Sequence, residues 1–276
     1  MAEISKFGLR RMKAIVPAEI ASKFEAEGAP REVPTGDFGI EGERHDPLSH
    51  GDFRSRYEHL SRYAAVSNTK WGTVADIGCG TGYGSAMLSK LNRVFGIDSS
   101  RKAVEYARIQ YPSIDFILGS AERIPVNDAC LDAVFAFEVI EHLREPERLL
   151  AECRRVLRIG GALVLSTPNP GHLGNVWQHR LLGRQMPVKV DMSNPYHVRE
   201  FAYDEMRKLL GSNGFEVVWA RGQTIPFDWC VPGLGRFHSR IAPKVGASDF
   251  YEWIQSVMGS RLPRFSWTVT YASKRL

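Results

Sequence analysis

Val74-Ala75-Asp76-Ile77-Gly78-Cys79-Gly80-Thr81-Gly82-Tyr83-Gly84 is the stretch on which the reading of the chain turns. Its first residues read as a buried strand, its glycines as a turn, and 85–91 as the helix that follows. An apolar strand ending in alternating glycines lets a ligand approach the backbone with no Cβ in the way, and the helix behind offers free N–H groups. A dinucleotide fingerprint needs G-x-G-x-x-G after the strand, but here the position three beyond Gly80 is Tyr83. That spacing argues against a pyrophosphate. Asp76, just before the first glycine, would repel phosphate and attract an ammonium group, so the ligand is expected to be cationic or zwitterionic.

About twenty residues past the turn, Val94-Phe95-Gly96-Ile97-Asp98 reads as a second buried strand ending in an acid. A carboxylate there can accept from both hydroxyls of a ribose, so an amino-acid-bearing nucleoside suits the two acids together. Ala75-Asp76-Ile77-Gly78-Cys79-Gly80-Thr81-Gly82 with Gly96-Ile97-Asp98 resembles the first two motifs of the class I S-adenosylmethionine (SAM) methyltransferases. The resemblance implies a Rossmann-like fold with SAM held by Asp76, Gly78, Gly80, Gly82, Asp98, Ser99 and Phe137. It also implies that Gly119-Ser120-Ala121-Glu122-Arg123-Ile124-Pro125 holds adenine, with Ala121 and Glu122 as the contacts, and that an Arg or Tyr at Arg62-Tyr63 covers the methionine part, a guanidinium at Arg62 pairing its carboxylate. The plainer reading of the turn is a connection between strand and helix; the plainer reading of Arg62 is a surface arginine.

The 276 residues are enough for one α/β domain of about 200 residues with additions. No apolar run approaches the roughly 20 residues of a membrane span, and the start lacks the apolar core of a secretory signal, so cytoplasmic residence is expected. Cys79, Cys130, Cys153 and Cys230 stand far apart with no C-x-x-C, which suggests reduced thiols rather than zinc or a disulfide framework. From Arg221 onward there are eight Lys/Arg against three Asp/Glu, so the net charge of +5 is carried by the last fifth of the chain. Such a basic, aromatic-bearing segment is a solvated face or a contact for an anionic substrate, nucleic acid or membrane surface.

Residues 1–51 carry loop chemistry and are expected to form an N-terminal arm or lid ahead of a methyltransferase domain at 52–276. Within the arm, Gly42-Glu43-Arg44-His45-Asp46-Pro47 resembles an element that precedes the SAM domain in sugar and polysaccharide methyltransferases. Helical spacing marks 52–66; strands are expected at 114–118, 131–137, 162–166 and 215–219, with helices between them. The segment 266–272 alternates as an antiparallel edge strand would. The expected architecture is therefore a doubly wound, mostly parallel, seven-stranded sheet with an antiparallel edge. Residues 171–200 and the aromatic stretch 223–264, which holds one short helix starting after Ser248, are read as insertions capping the substrate.

A second constellation follows the fourth strand. Glu138, Glu141 and His142 stand at i, i+3 and i+4, which gathers side chains on one face of a helical turn. Two carboxylates and an imidazole suit a hard divalent cation, Mg²⁺ or Mn²⁺. The run Glu138-Val139-Ile140-Glu141-His142 resembles that of metal-dependent O-methyltransferases of ubiquinone biosynthesis and small-RNA 2′-O-methylation, and the resemblance adds His197 as a further ligand. A metal-free version with His142 as general base, and a purely structural one, stay open.

Methyl transfer to a sugar hydroxyl, small-molecule or lipid-linked, is the first expectation. It rests on the 42–44 element, Ser166-Thr167-Pro168-Asn169 and Asn194-Pro195-Tyr196-His197, which resemble methyltransferases of glycan and glycolipid pathways. Peripheral membrane contact would suit a lipid-linked acceptor. A quinone-precursor O-methyltransferase is the alternative, followed by RNA 2′-O-methylation, for which there is no recognisable RNA-binding module. A SAM-binding regulator without catalysis is the non-enzymatic alternative.

Overall fold

In the computed structural model the described residues are 53–176, 196–225 and 257–276. The expected arm at 1–51, most of the insertion at 171–200 and the larger part of the aromatic stretch 223–264 lie outside them.

Strand β1 (Thr73–Ile77) is buried from its second residue onward, as a strand flanked on both faces requires. On one side it pairs in parallel with β2 (Arg93–Asp98), Val74 opposite Val94 and Ile77 opposite Ile97. On the other it pairs in parallel with β4 (Leu131–Phe137), Val74 opposite Ala133 and Asp76 opposite Phe135. Strand β3 (Asp115–Leu118) adds in parallel outside β2. With β5 (Leu157–Pro168), β6 (Phe215–Gly222) and β7 (Thr268–Arg275) the order is β3-β2-β1-β4-β5-β7-β6, a seven-stranded, mostly parallel sheet with one antiparallel edge. The chain runs outward from β1 to β3 and then returns to place β4 on the far side of β1. The carboxyl ends of β1 and β4 therefore flank the point where the order reverses, the place where open α/β sheets bind ligands.

Helix α1 (Phe53–Ser67) precedes β1, and α2 (Tyr83–Leu88), α3 (Arg101–Gln110), α4 (Pro146–Val156) and α5 (Tyr203–Ser212) lie between successive strands. Ser100 caps α3 by accepting the Ala103 N–H at 3.3 Å, and α3 buries Ala103, Val104 and Ala107. Helix α4 buries Leu149, Leu150, Cys153 and Val156 at helical spacing.

The chain forms two compact units. One takes residues up to 136 with 147–163 and 275–276; its fully buried side chains include Phe95, Ile97, Phe116 and Phe135. The other takes 137–146 and 164–274 and buries Phe201, Met206, Leu210, Phe215 and Tyr271.

Three expectations shift. Helix α2 starts at Tyr83 rather than 85, because Gly82 in the left-handed region (φ 86°) already turns the chain into it. Strand β5 begins at Leu157, ahead of the glycine pair rather than after it. Strand β7 lies between β5 and β6 and is buried at six successive residues, Thr268 to Ser273. Its alternating threonines thus face covered surroundings, and β6 is outermost. Cys79, Cys130 and Cys153 are free thiols, and among the described residues no helix is long and apolar enough to cross a membrane.

Candidate active site

The glycine turn is latched to the end of β2. Gly78 and Cys79 donate their N–H groups to the Ile97 carbonyl at 2.7 and 3.2 Å, and Gly80 N–H donates to Asp98 Oδ2 at 2.9 Å. The other Asp98 oxygen accepts the Ser100 N–H at 2.8 Å. Asp98 is thus held in place, buried at the end of β2 beside the glycine turn. Gly78 and Gly80 both have positive φ (69° and 52°), and a Cβ built on Gly80 would meet nothing within 4 Å. Thr81 Oγ1 in the same turn is buried without a hydrogen-bond partner. An open space above left-handed glycines, an orphan hydroxyl and a paired acid fit a nucleoside-bearing cofactor. Ser99 beside Asp98 is exposed, and Phe137 ends β4 nearly buried.

Asp76 sits differently from the expectation. Its side chain has no exposed surface; Oδ1 accepts from Tyr63 Oη at 3.0 Å and Oδ2 from Ser85 Oγ at 2.6 Å. Burial pushes its pKa up to about 7, against the pull of the two hydroxyl donors. Burial and the neighbouring Asp76 raise the Tyr63 phenol as well. Attraction of an ammonium group by Asp76 would therefore act through the turn, not by contact. The cluster ties α1 to the glycine turn. A Cβ on Gly84, inside α2, would lie 2.0 Å from Tyr63 Cζ, so this last glycine makes room for the Tyr63 ring and not for a ligand. Arg62, its neighbour on α1, is buried.

The expected adenine bend is compact. Arg123 N–H donates to the Ser120 carbonyl and Glu122 N–H to Ser120 Oγ, both at 3.1 Å, with Ala121 and Glu122 half-buried between them.

The second unit holds the other constellation. Past β4 the backbone turns sharply at Glu138, whose φ of 54° is unusual for a residue with a side chain. Ser166 at the end of β5 holds that turn: its carbonyl accepts Glu138 N–H at 3.1 Å and its hydroxyl donates to Glu138 Oε1 at 2.6 Å. A single 3₁₀ turn, Ile140–His142, then presents Glu141 and His142. The Glu141 carbonyl accepts the N–H groups of Val198 and Arg199 at 2.9 and 3.1 Å, which docks the 196–200 segment on this turn. One ligand atom from each of Glu141, His142 and His197 comes within 4.8 Å of the others. The structure leaves Glu138 outside that group, because the turn directs its carboxylate to Ser166.

Both histidines are oriented from behind. His142 Nδ1 lies 3.0 Å from the Tyr196 carbonyl, which can only accept, so Nδ1 carries the proton and Nε2 the lone pair. His197 Nδ1 lies 3.3 Å from Glu200 Oε1, a contact that fixes the orientation of its ring. The rings stand 5.1 Å apart at 70°. Both carboxylate oxygens of Glu141 are buried without a hydrogen-bond partner. Burial and then the charge of Glu138 push its pKa up to about 8, opposed by His142 and His197. A buried acid with two orphan oxygens beside two imidazole rings can hold a cation or stabilise an imidazolium.

Tyr63, Ser85, Ser166 and Glu200 support these groups and are not among the expected site residues. Tyr63 and Ser166 stand in stretches singled out by sequence, but pairing them with Asp76 and Glu138 needs contacts across 13 and 28 residues. No local pattern encodes those.

The fold and the glycine turn together are similar to those of class I SAM-dependent methyltransferase domains. Residues 75–165 match the methyltransferase domain family. The chain is 38% identical over 145 residues to a protein of Mycolicibacterium smegmatis named a probable S-adenosylmethionine-dependent methyltransferase, covering 52% of each. It is 36% identical over 107 residues to the malonyl-[acyl-carrier protein] O-methyltransferase of Serratia marcescens, covering 37% of this chain and 42% of that one. The chain thus spans about half the length, or less, of these curated relatives. Among solved structures, an S-adenosylmethionine dependent methyltransferase from Mesorhizobium loti superposes with a TM-score of 0.55 at 17% identity, over 79% of this chain and 98% of that one. That likeness concerns the fold.

Proposed function

We propose that this chain transfers the methyl group of SAM to a hydroxyl of a sugar, in a small or lipid-linked acceptor. The observation that carries this reading is the group Glu141, His142 and His197, with a ring nitrogen from each histidine and an unpartnered buried carboxylate gathered within 4.8 Å. Bound SAM supplies an electrophilic methyl group on a sulfonium. Asp98 accepts the ribose hydroxyls, Gly78 and Gly80 leave the space the nucleoside needs, and Ala121 and Glu122 read the base.

A neutral sugar hydroxyl is a weak nucleophile, so its proton must leave as it attacks. His142 Nε2 takes that proton, and the Glu141 carboxylate stabilises the imidazolium that results. The same Glu141, His142 and His197 would hold Mg²⁺ or Mn²⁺, which would supply a lowered hydroxyl pKa at the acceptor. An acceptor carboxylate would meet the Glu138 carboxylate as a like charge, which favours a hydroxyl over an acid such as that named for the Serratia relative.

The test is formation of S-adenosylhomocysteine with a panel of glycosides, catechols and acyl-carrier-protein thioester acids. Turnover with glycosides is expected, and turnover confined to catechols or acids would overturn the sugar assignment. No turnover with any acceptor, alongside tight cofactor binding, would favour a regulator.

A further inference from the structure

Arg155 on α4 and the chain just after the adenine bend are joined by an unusually complete set of bonds. A guanidinium carries five N–H donors in a fixed fork, and here all five are placed. Nε donates to Glu152 Oε1 at 2.8 Å and Nη2 to Glu152 Oε2 at 2.7 Å. Nη1 donates to the Val126 carbonyl at 2.8 Å and to Asp128 Oδ1 at 2.6 Å, and Nη2 also reaches the Ile124 carbonyl at 2.8 Å. Glu152 Oε2 in turn accepts the Ile124 N–H at 2.8 Å. One arginine and one glutamate thereby fix both backbone polar groups of Ile124.

The other end of the bend is fixed to the cofactor's ribose acid. Gly119 N–H donates to the Asp98 carbonyl at 2.9 Å, and a Cβ on Gly119 would lie 2.7 Å from Pro125 Cγ, so the two ends of the bend are pressed together. Between them 120–123 closes on itself, and Glu122 N–H is committed to Ser120 Oγ. A bend with free ends would have to be ordered each time a base entered it; this one is ordered beforehand.

We propose that Arg155, with Glu152, is a positioning pair that holds the 120–123 bend in the geometry that reads the adenine ring. It sets both affinity and base selectivity for adenosine-bearing ligands without touching them. The inference rests on the reading of 119–125 as the adenine bend of a SAM site.

The test is calorimetric titration of S-adenosylhomocysteine and of its inosine analogue, in which oxygen replaces the 6-amino group. The proteins are the wild type, Arg155→Lys, Glu152→Gln and Asp128→Ala. Lysine keeps the charge but has only three donors on one atom, so it cannot span these partners. The wild type is expected to prefer the adenine ligand. Arg155→Lys should bind it about tenfold more weakly, the cost of ordering one or two residues on binding, with its preference over the inosine analogue shrinking toward unity. Amide exchange at 119–126 should quicken. Asp128→Ala should stay within about twofold of wild type, since Asp128 is mostly exposed and does not bond to the bend.

General destabilisation would lower affinity for both ligands alike, so an unchanged preference in Arg155→Lys overturns the inference while leaving the SAM site standing. If Arg155→Lys does not fold, Glu152→Gln carries the same comparison. A wild type that binds neither ligand overturns the SAM reading and the inference with it.

Discussion

Gly84→Ala is expected to damage the protein through one aromatic ring. The new methyl group would meet Tyr63 Cζ at 2.0 Å and its two Cε atoms at 2.3 and 2.4 Å, and Tyr63 is only 5% exposed. Overpacking of this kind costs about 1–3 kcal/mol. Displacing the ring also breaks the 3.0 Å bond from Tyr63 Oη to the buried Asp76, and leaving a buried polar group unsatisfied costs about 1–3 kcal/mol. The sum is about 2–6 kcal/mol, a large part of the roughly 5–15 kcal/mol that a domain possesses. Urea unfolding of Gly84→Ala, Tyr63→Leu and the double variant gives the decisive comparison. Leucine lacks the ring atoms that collide, so in its background Gly84→Ala should cost less than about 1 kcal/mol, aided by the better helix propensity of alanine. The expected coupling is at least about 2 kcal/mol. Additive effects of the two substitutions would refute the claim that Gly84 exists to admit Tyr63.

The pH dependence of Asp76 points the same way. Its folded pKa of about 7 lies above the unfolded value of 3.8, so the folded state binds the extra proton and stability falls as pH rises between those values. Asp76→Asn should lose that slope, and its stability relative to wild type should grow by up to about 4 kcal/mol from pH 4 to pH 8, read from urea unfolding at each pH. Ser166→Ala removes the hydroxyl that donates to Glu138 Oε1; turnover should drop about tenfold or more with S-adenosylhomocysteine affinity unchanged, as parallel assays of rate and binding will show. His142→Ala should lower turnover by about 10²-fold or more, again without weakening cofactor binding. Treatment with a chelator followed by Mg²⁺ or Mn²⁺ should abolish and restore activity if Glu141, His142 and His197 hold a cation, and an unaffected rate assigns the proton to His142 alone.

The parallel core was legible because its strands are short apolar runs bounded by glycine, proline and acid, a local pattern. The places of Gly78 and Gly80 just past β1 and of Asp98 at the end of β2 are legible for the same reason. Asp76 was misplaced because sequence shows a charge beside a glycine turn but not the two hydroxyls, from Tyr63 and Ser85, that take both its oxygens. Glu138 was grouped with Glu141 and His142 by helical spacing. The actual turn has a left-handed residue followed by a 3₁₀ segment, which turns Glu138 toward Ser166. His197, 55 positions beyond His142, was reached by resemblance alone; the backbone bonds from Val198 and Arg199 to Glu141 explain how it gets there. Strand β7 was read as the edge because its threonines alternate with apolar residues, and alternation cannot tell a solvated face from a covered polar one.

The central claim is that the glycine turn and Asp98 form a SAM site, and the most direct measurement is calorimetric titration of S-adenosylhomocysteine into the wild type and Asp98→Asn. The account predicts saturable one-site binding to the wild type and affinity lower by about 10–100-fold in the variant, the loss expected when ribose hydroxyls no longer meet a charged acceptor. No binding to the wild type, or equal binding to both, would contradict it.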